Sequence, residues 1–138
     1  LDTLEICNGA SHSELKIDEK GNLKLIEIGG RMGGDCIGSH LVPFTTGMDF
    51  VRMVVQIALG QAPDLTSGPH HAACGVRFVF GPRDLELREA LRAAPGITML
   101  EESPIDPMDH IVTDSSTRFG YYIFASEDPA RIATWMEK

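Results

Sequence analysis

The chain has 138 residues, which is the size of one ordinary domain and enough to bury a hydrophobic core. Its hydrophobic fraction of 43% and charged fraction of 23% are typical of a soluble globular protein, and no stretch reaches the ~18 apolar residues of a membrane-spanning helix. The net charge of −8 argues against nucleic acid as a partner, because a phosphate backbone is bound by basic patches.

A β-hairpin is the first element that the sequence predicts. Two strands, at 12–18 and 23–28, flank a short connection in which Gly21 can take the positive φ that tight turns need. The prediction pairs Asp18 with Leu23 in antiparallel fashion across that connection. This pairing sets the register of the whole hairpin.

Two glutamates face each other in this register, since Glu14 comes to lie directly opposite Glu27. Like charges in that position are unfavourable by about 0.2–1 kcal/mol. A divalent cation between them reverses the sign, and Mg²⁺ is often held by one or two carboxylates together with substrate phosphates. Two interpretations stay open at this point: half of a magnesium–nucleotide site, or a solvated hairpin face.

A glycine-rich run directly follows the second strand. Residues 27–35 read Glu-Ile-Gly-Gly-Arg-Met-Gly-Gly-Asp. The glycines allow backbone N–H groups to approach an anion closely, and Arg31 can form a forked pair with a phosphate or a carboxylate. A tight turn from strand to helix is the alternative interpretation, but the run favours the metal–nucleotide site.

These segments, with Thr-Gly-Met-Asp at 46–49, resemble the last part of the ATP-grasp fold. The likeness is greatest to the L-amino-acid ligase branch, with carbamoyl-phosphate synthase and biotin carboxylase as more distant relatives. The resemblance implies that Glu14 and Glu27 bind Mg²⁺, or Mn²⁺, with ATP. It also implies a catalytic role for Arg31. The backbone N–H groups of Gly33 and Gly34 would form part of a cradle for the phosphate. An asparagine of the family, which helps to hold a second Mg²⁺, is replaced here by Gly29.

The activity that the resemblance implies is that of an ATP-dependent carboxylate–amine ligase acting through an acyl phosphate. Its partners would be ATP, a small carboxylate and amine substrate, and the N-terminal ATP-grasp part with its lysine and glycine-rich lid. We expect the chain to be the C-terminal portion of such a ligase and inactive alone. Two alternatives stay open: another ATP-grasp chemistry, of the biotin carboxylase or carbamoyl-phosphate synthase type, and a non-catalytic binding module. Apolar surface left uncovered would favour a homo-oligomer.

Two helices are predicted after the glycine-rich run. Asp35 can cap a short helix through Leu41 that ends near Pro43. A second helix runs over 48–59 and stops at Gly60, and its apolar residues cover most of its circumference, which predicts a largely buried helix.

A polar connector rich in proline and glycine, at 61–69, suggests a boundary. We therefore predict an α/β (α+β) chain: the C-terminal part of an ATP-grasp domain at 1–65, and a small α+β subdomain at 66–138. The subdomain would carry helices on one face of an antiparallel or mixed sheet. Its predicted strands are 72–80, 97–101, 110–113 and 119–125, and its predicted helices are 82–93 and 129–137.

Several single residues allow two interpretations of their role. Arg77 and Arg118 are surface charges or anion binders, and the surface role is favoured. His12 shares a strand face with Glu14, so it either contacts the metal site or has a structural role, and the structural role is favoured. The three cysteines are odd in number and lack metal-ligand spacing, which predicts a reducing, cytoplasmic location.

Overall fold

The computed structural model describes residues 2–138. The chain divides into two compact units. Unit 1 contains the described residues up to Pro43, together with Gly47–Gly68, and unit 2 contains Phe44–Thr46 and Pro69–Lys138. Across the described residues, no helix combines the length and the apolar character needed to cross a membrane.

The first half of the chain contains a hairpin followed by short helices. Its elements are a 3₁₀ turn at Asp2–Leu4, strands β1 (His12–Ile17) and β2 (Leu23–Gly29), a π-helical turn at Ile37–Leu41, and helices α1 (Val42–Thr46) and α2 (Phe50–Ala58). Strands β1 and β2 form an antiparallel two-stranded sheet, as predicted.

The hairpin closes one residue earlier than predicted. Ile17, and not Asp18, pairs with Leu23. Asp18 instead organises the connection: its carboxylate accepts hydrogen bonds from the backbone N–H groups of Lys20 and Asn22, both at 2.9 Å, and from the side chain of Asn22. The hydrogen bonds from Asn22 hold the pKa of Asp18 below its ordinary value. The side chain predicted to begin the ladder therefore closes the turn.

A β-bulge restores the register that was predicted for the glutamates. Leu15 pairs with Leu25, but the next pair is Glu14 with Glu27, so Ile26 is an extra residue in β2. The predicted opposition of Glu14 and Glu27 is confirmed, although it arises from a different turn combined with a bulge.

The segment after the glycine-rich run differs from the prediction. Cys36, and not Asp35, occupies the N-cap position of the π-helical turn, with φ at +64° and no side-chain cap. The predicted end near Pro43 is also wrong, because the chain continues into α1, where proline occupies the first turn. Proline is tolerated there because an N–H in the first turn has no helical partner to lose. Gly47, in the left-handed conformation, ends α1.

Helix α2 is more exposed than predicted. It begins after Asp49, whose carboxylate accepts a hydrogen bond from Arg52 N–H at 2.9 Å, and no residue in it is buried. Val51, Val55 and Leu59 recur every four residues and are 41%, 51% and 68% exposed. The predicted burial of α2 is therefore wrong: the apolar stripe is present, but nothing in unit 1 covers it.

Unit 2 is an antiparallel sheet with two helices. Its elements are β3 (Ala73–Val79), α3 (Pro82–Arg92), β4 (Thr98–Glu102), β5 (Gly120–Ser126) and α4 (Pro129–Met136), and the strand order is β3-β5-β4. The strand predicted at 110–113 is not formed. There the Thr117 side chain accepts hydrogen bonds from the N–H groups of Thr113 and Asp114, and Asp114 caps a 3₁₀ turn, so local bonds replace a ladder.

Both helices of unit 2 pack on one face of its sheet. Leu91 of α3 and Ile132 of α4 join Tyr122 and Phe124 of β5 in a single buried cluster. Tyr122 is fully buried, and its hydroxyl donates to the Asp84 carbonyl oxygen at 3.0 Å. The mixed α/β fold class and the placement of the helices are therefore confirmed.

Arg77 corrects a single-residue prediction. Its side chain is only 17% exposed, and Nη1 donates to the Trp135 carbonyl oxygen at 2.8 Å. The surface role favoured from sequence is wrong, because this side chain ties β3 to the last turn of α4.

Candidate functional site

The paired glutamates of the hairpin form the centre of the candidate site. Directly opposed residues of an antiparallel ladder present their side chains on the same face, so Glu14 and Glu27 are neighbours. Within residues 2–138, Glu27 has no ion-pair partner, and Glu14 has only His12, whose Nε2 lies 3.4 Å from Glu14 Oε1. The hairpin thus carries two adjacent carboxylates that no lysine or arginine neutralises.

These carboxylates fit a magnesium ion as part of a larger ligand set. Mg²⁺ prefers oxygen ligands and commonly takes one or two carboxylates with substrate phosphates. The described part of the chain contains no group of three or more His, Cys, Asp or Glu that could hold a metal ion. Glu14 and Glu27 can therefore supply two oxygen ligands, and a bound phosphate or water has to supply the others.

The glycine-rich run turns sharply after β2. A Cβ at Gly33 would lie 2.9 Å from Ile37 Cγ2 and 3.0 Å from His12 Nδ1, so only glycine fits there. At Gly34 the nearest atom to such a Cβ is Arg31 Nη1, at 4.0 Å. Gly33 is buried whereas Gly34 is exposed, so of the two predicted cradle residues only Gly34 offers its backbone directly to solvent.

Arg31 is exposed, and its guanidinium stays close to the run. Nη1 donates to the Met32 carbonyl oxygen at 2.9 Å, and Cγ lies 3.6 Å from the position that a Cβ would take at Gly29. The side chain forms no ion pair with Glu14 or Glu27 among the pairs of the described chain. Its charge therefore remains available to an anionic ligand.

His12 lies beside the paired glutamates and contacts the glycine-rich run. Its ring lies between the Glu14 carboxylate and the backbone of Gly33. Spacing along β1 predicts the first contact, because residues two apart share a strand face. The second contact brings together residues twenty-one positions apart, for which the sequence carries no signal.

A cleft that the sequence did not predict adjoins Arg31. It lies within unit 1, has a volume of about 380 Å³, and is bounded by Arg31 and Met32 on one side and by Val54 and Ile57 of α2 on another. A cationic end and an apolar wall suit a small molecule that carries one anionic group.

Solved structures of known proteins share this fold. Phosphoribosylglycinamide synthetase from Anaerococcus prevotii matches with a TM-score of 0.68 at 14% identity, over 94% of this chain and 35% of that protein. Carboxyaminoimidazole ribonucleotide synthase from Aspergillus clavatus, complexed with ATP, matches with a TM-score of 0.60 at 13% identity, over 94% and 32%. L-amino acid ligase from Bacillus licheniformis matches with a TM-score of 0.58 at 20% identity, over 94% and 34%.

The fold is therefore that of the C-terminal part of ATP-grasp ligases, and this prediction is confirmed. The chain spans about a third of the length of each matched structure. No protein-family model and no curated protein sequence matches it.

Proposed function

We propose that this chain is part of an ATP-dependent carboxylate–amine ligase that works through an acyl phosphate. The observation that carries the proposal is the cross-strand pair Glu14–Glu27, followed at once by a glycine-rich turn with Arg31, within the fold of ATP-grasp ligases. The paired charges have no compensating cation among the described residues, and a magnesium–nucleotide complex would relieve that cost.

Each residue has a defined task in this reaction. The terminal phosphoryl group of ATP passes to a carboxylate oxygen, giving ADP and an acyl phosphate; the amine then attacks the carbonyl carbon, loses a proton and displaces inorganic phosphate. Glu14 and Glu27 would hold the metal, which would supply charge neutralisation at the phosphate oxygens. Arg31 stabilises the transferred phosphoryl group, and the exposed backbone N–H of Gly34 adds to its cradle, whereas Gly33 is buried and only shapes the turn.

The cleft beside Arg31 is the proposed place for the small carboxylate or amine substrate. It is lined by Arg31 and by the apolar residues Val54 and Ile57. A short aliphatic substrate with one carboxylate would satisfy both features.

The N-terminal ATP-grasp part is the proposed partner of unit 1. One face of the hairpin carries four apolar side chains that are more than half exposed, and they are Leu15, Ile17, Leu23 and Leu25. The matched structures are about three times as long as this chain, so they contain further segments able to cover such a face. Activity of the chain alone is not expected. A cytoplasmic location, in keeping with three free thiols, completes the proposal.

Binding of Mn²⁺ tests the proposed metal role of the two glutamates. The parent chain should bind Mn²⁺, followed by electron paramagnetic resonance, and Glu27→Gln should weaken binding by about tenfold or more, because a neutral amide replaces a charged ligand. Glu19→Gln is the matched control, since this exposed residue lies in the hairpin connection outside the paired positions. Equal affinities for the parent and Glu27→Gln would contradict the metal role.

One observation favours a second candidate, a binding module without catalysis. Gly29 offers no side-chain oxygen at the position where the resembled family has an asparagine. Calorimetry with Mg–ATP and amino acids separates the candidates: a binding module takes up its ligand in isolation, whereas a ligase part binds Mg–ATP more tightly once the N-terminal part is supplied.

A further inference from the structure

His12 differs from every other residue of its strand. The remaining residues of β1, from Ser13 to Ile17, are exposed, whereas His12 is only partly exposed. Its side chain is 21% accessible, against 54% for Glu14 two residues further on. A histidine at the start of an otherwise exposed strand is therefore held in place by something outside that strand.

The glycine-rich turn holds it. Nδ1 of His12 lies 3.0 Å from the position that a Cβ would occupy at Gly33, and Ile37 fills the other side of that position at 2.9 Å. The ring thus packs directly on bare backbone. The ring and Ile37 bury Gly33, and the absence of a side chain at this position leaves room for the ring.

The opposite edge of the ring faces the candidate metal ligand. Nε2 lies 3.4 Å from Glu14 Oε1, a long hydrogen bond in which the tautomer with hydrogen on Nε2 donates. The bond engages one carboxylate oxygen and leaves the other for a cation. Carboxylates that bind metals are commonly hydrogen-bonded in this manner by a neighbouring group that fixes their orientation.

We propose that His12 is a positioning residue, which orients Glu14 and couples it to the glycine-rich turn. This inference rests on the proposed metal role of Glu14. The ring contacts one proposed ligand at Nε2 and the glycine-rich turn at Gly33 near Nδ1, so it links the two. Without it, Glu14 lies on an exposed strand with no other side-chain partner among the described residues.

A purely structural role for His12 predicts a different result from a positioning role. Three substitutions distinguish these two roles. His12→Phe keeps an aromatic ring against Gly33 but removes the donor to Glu14. His12→Gln keeps an amide donor at about the reach of Nε2, and His12→Ala removes both. Ser13→Ala is the matched control, because Ser13 lies on the same strand but faces the other side of the hairpin.

The experiment is a Mn²⁺ titration of the chain followed by electron paramagnetic resonance, with ¹H–¹⁵N spectra to show that each variant is folded. We expect His12→Ala and His12→Phe to weaken Mn²⁺ binding by about tenfold, and His12→Gln and Ser13→Ala to keep most of the affinity. His12→Ala should also shift the amide resonances of Gly33 and Gly34 without added metal.

The outcomes separate this inference from the proposed function. A folded His12→Phe variant that binds Mn²⁺ as tightly as the parent, while Glu14→Gln has lost binding, overturns the positioning role alone. If neither Glu14→Gln nor Glu27→Gln changes Mn²⁺ binding, the proposed function fails and the inference fails with it. Loss in His12→Phe with rescue in His12→Gln supports both.

Discussion

Gly29 shows how much a single side chain can decide at this site. It pairs with His12 at the end of the hairpin, and it lies two residues beyond Glu27, so a side chain at this position shares the face of the paired glutamates. A Cβ there would meet no atom closer than Arg31 Cγ at 3.6 Å, which is ordinary contact. The position is sterically open, and only the ligand atom is missing.

We predict that Gly29→Asn strengthens metal binding. An asparagine would add a side-chain oxygen to the two carboxylates, and oxygen ligands are those that Mg²⁺ and Mn²⁺ take. Gly30→Asn is the matched control: its Cβ also fits, 3.7 Å from Ile6 Cδ1, but Gly30 lies beyond the last paired residue of β2. Titration with Mn²⁺ should show a gain of about tenfold for Gly29→Asn alone. Equal gains in both variants would indicate a non-specific effect.

The sequence was sufficient for some of these residues and not for others. Opposition of Glu14 and Glu27 was predicted from the hairpin register and is confirmed, although a different turn and a bulge produce it. The contact of His12 with Gly33 depends on how the glycine-rich turn folds back, and the contact of the partly buried Arg77 with Trp135 depends on where α4 ends. Local pattern does not encode such long-range contacts, so these roles appear only in three dimensions.

At the scale of elements, the bulge in β2 determines which face the glutamates occupy. Leu15 and Leu25 pair on the apolar face, and without the extra residue Ile26 the alternation of β2 would continue unbroken. Because Ile26 is inserted, Glu27 changes to the face of Glu14. A bulge leaves no clear mark in sequence, which is why the prediction has the right pair but the wrong turn.

Two deletions test this role of the hairpin. Removing Ile26 should leave Ile17 paired with Leu23 and Glu14 paired with Glu27, because a regular ladder then joins the two pairs. Removing Leu15 should turn Glu14 toward the apolar face, since a shift of one residue exchanges the faces. We therefore expect retained Mn²⁺ binding in the first variant and a loss of about tenfold or more in the second. Loss in both variants would show that the bulge itself is needed.

Helices show the same division between local and distant causes. Asp128 caps α4 through a contact within its own helix, accepting from Ala130 N–H at 3.0 Å, whereas the cap predicted at Asp35 is not formed. Burial of a helix could not be predicted in the same way, since an apolar stripe indicates that a face is covered but does not identify the element that covers it. Helix α2 has the stripe, and Val55 within it is 51% exposed.

The whole molecule divides its hydrophobic core unevenly. Among the described residues, every buried hydrophobic side chain lies in unit 2, from Val79 to Ile132. Unit 1 instead exposes large apolar side chains on its hairpin and on α2. Full burial of one such side chain contributes about 1.5–3 kcal/mol. The free energy of unfolding of unit 1 should therefore be much smaller than that of unit 2.

Hydrogen exchange of the chain should reveal this difference directly. The pairs β1–β2 and β3–β5 are both antiparallel, but β5 also pairs with β4 on its other edge and has a hydrophobic core behind it. We expect β1–β2 amides to exchange roughly 100-fold faster than those of β5, a difference of about 2.7 kcal/mol in opening free energy. Mg–ATP should slow exchange in the hairpin and leave β5 unchanged, because a ligand protects the segment that it binds. Equal protection of both sheets would contradict the lower stability expected for unit 1.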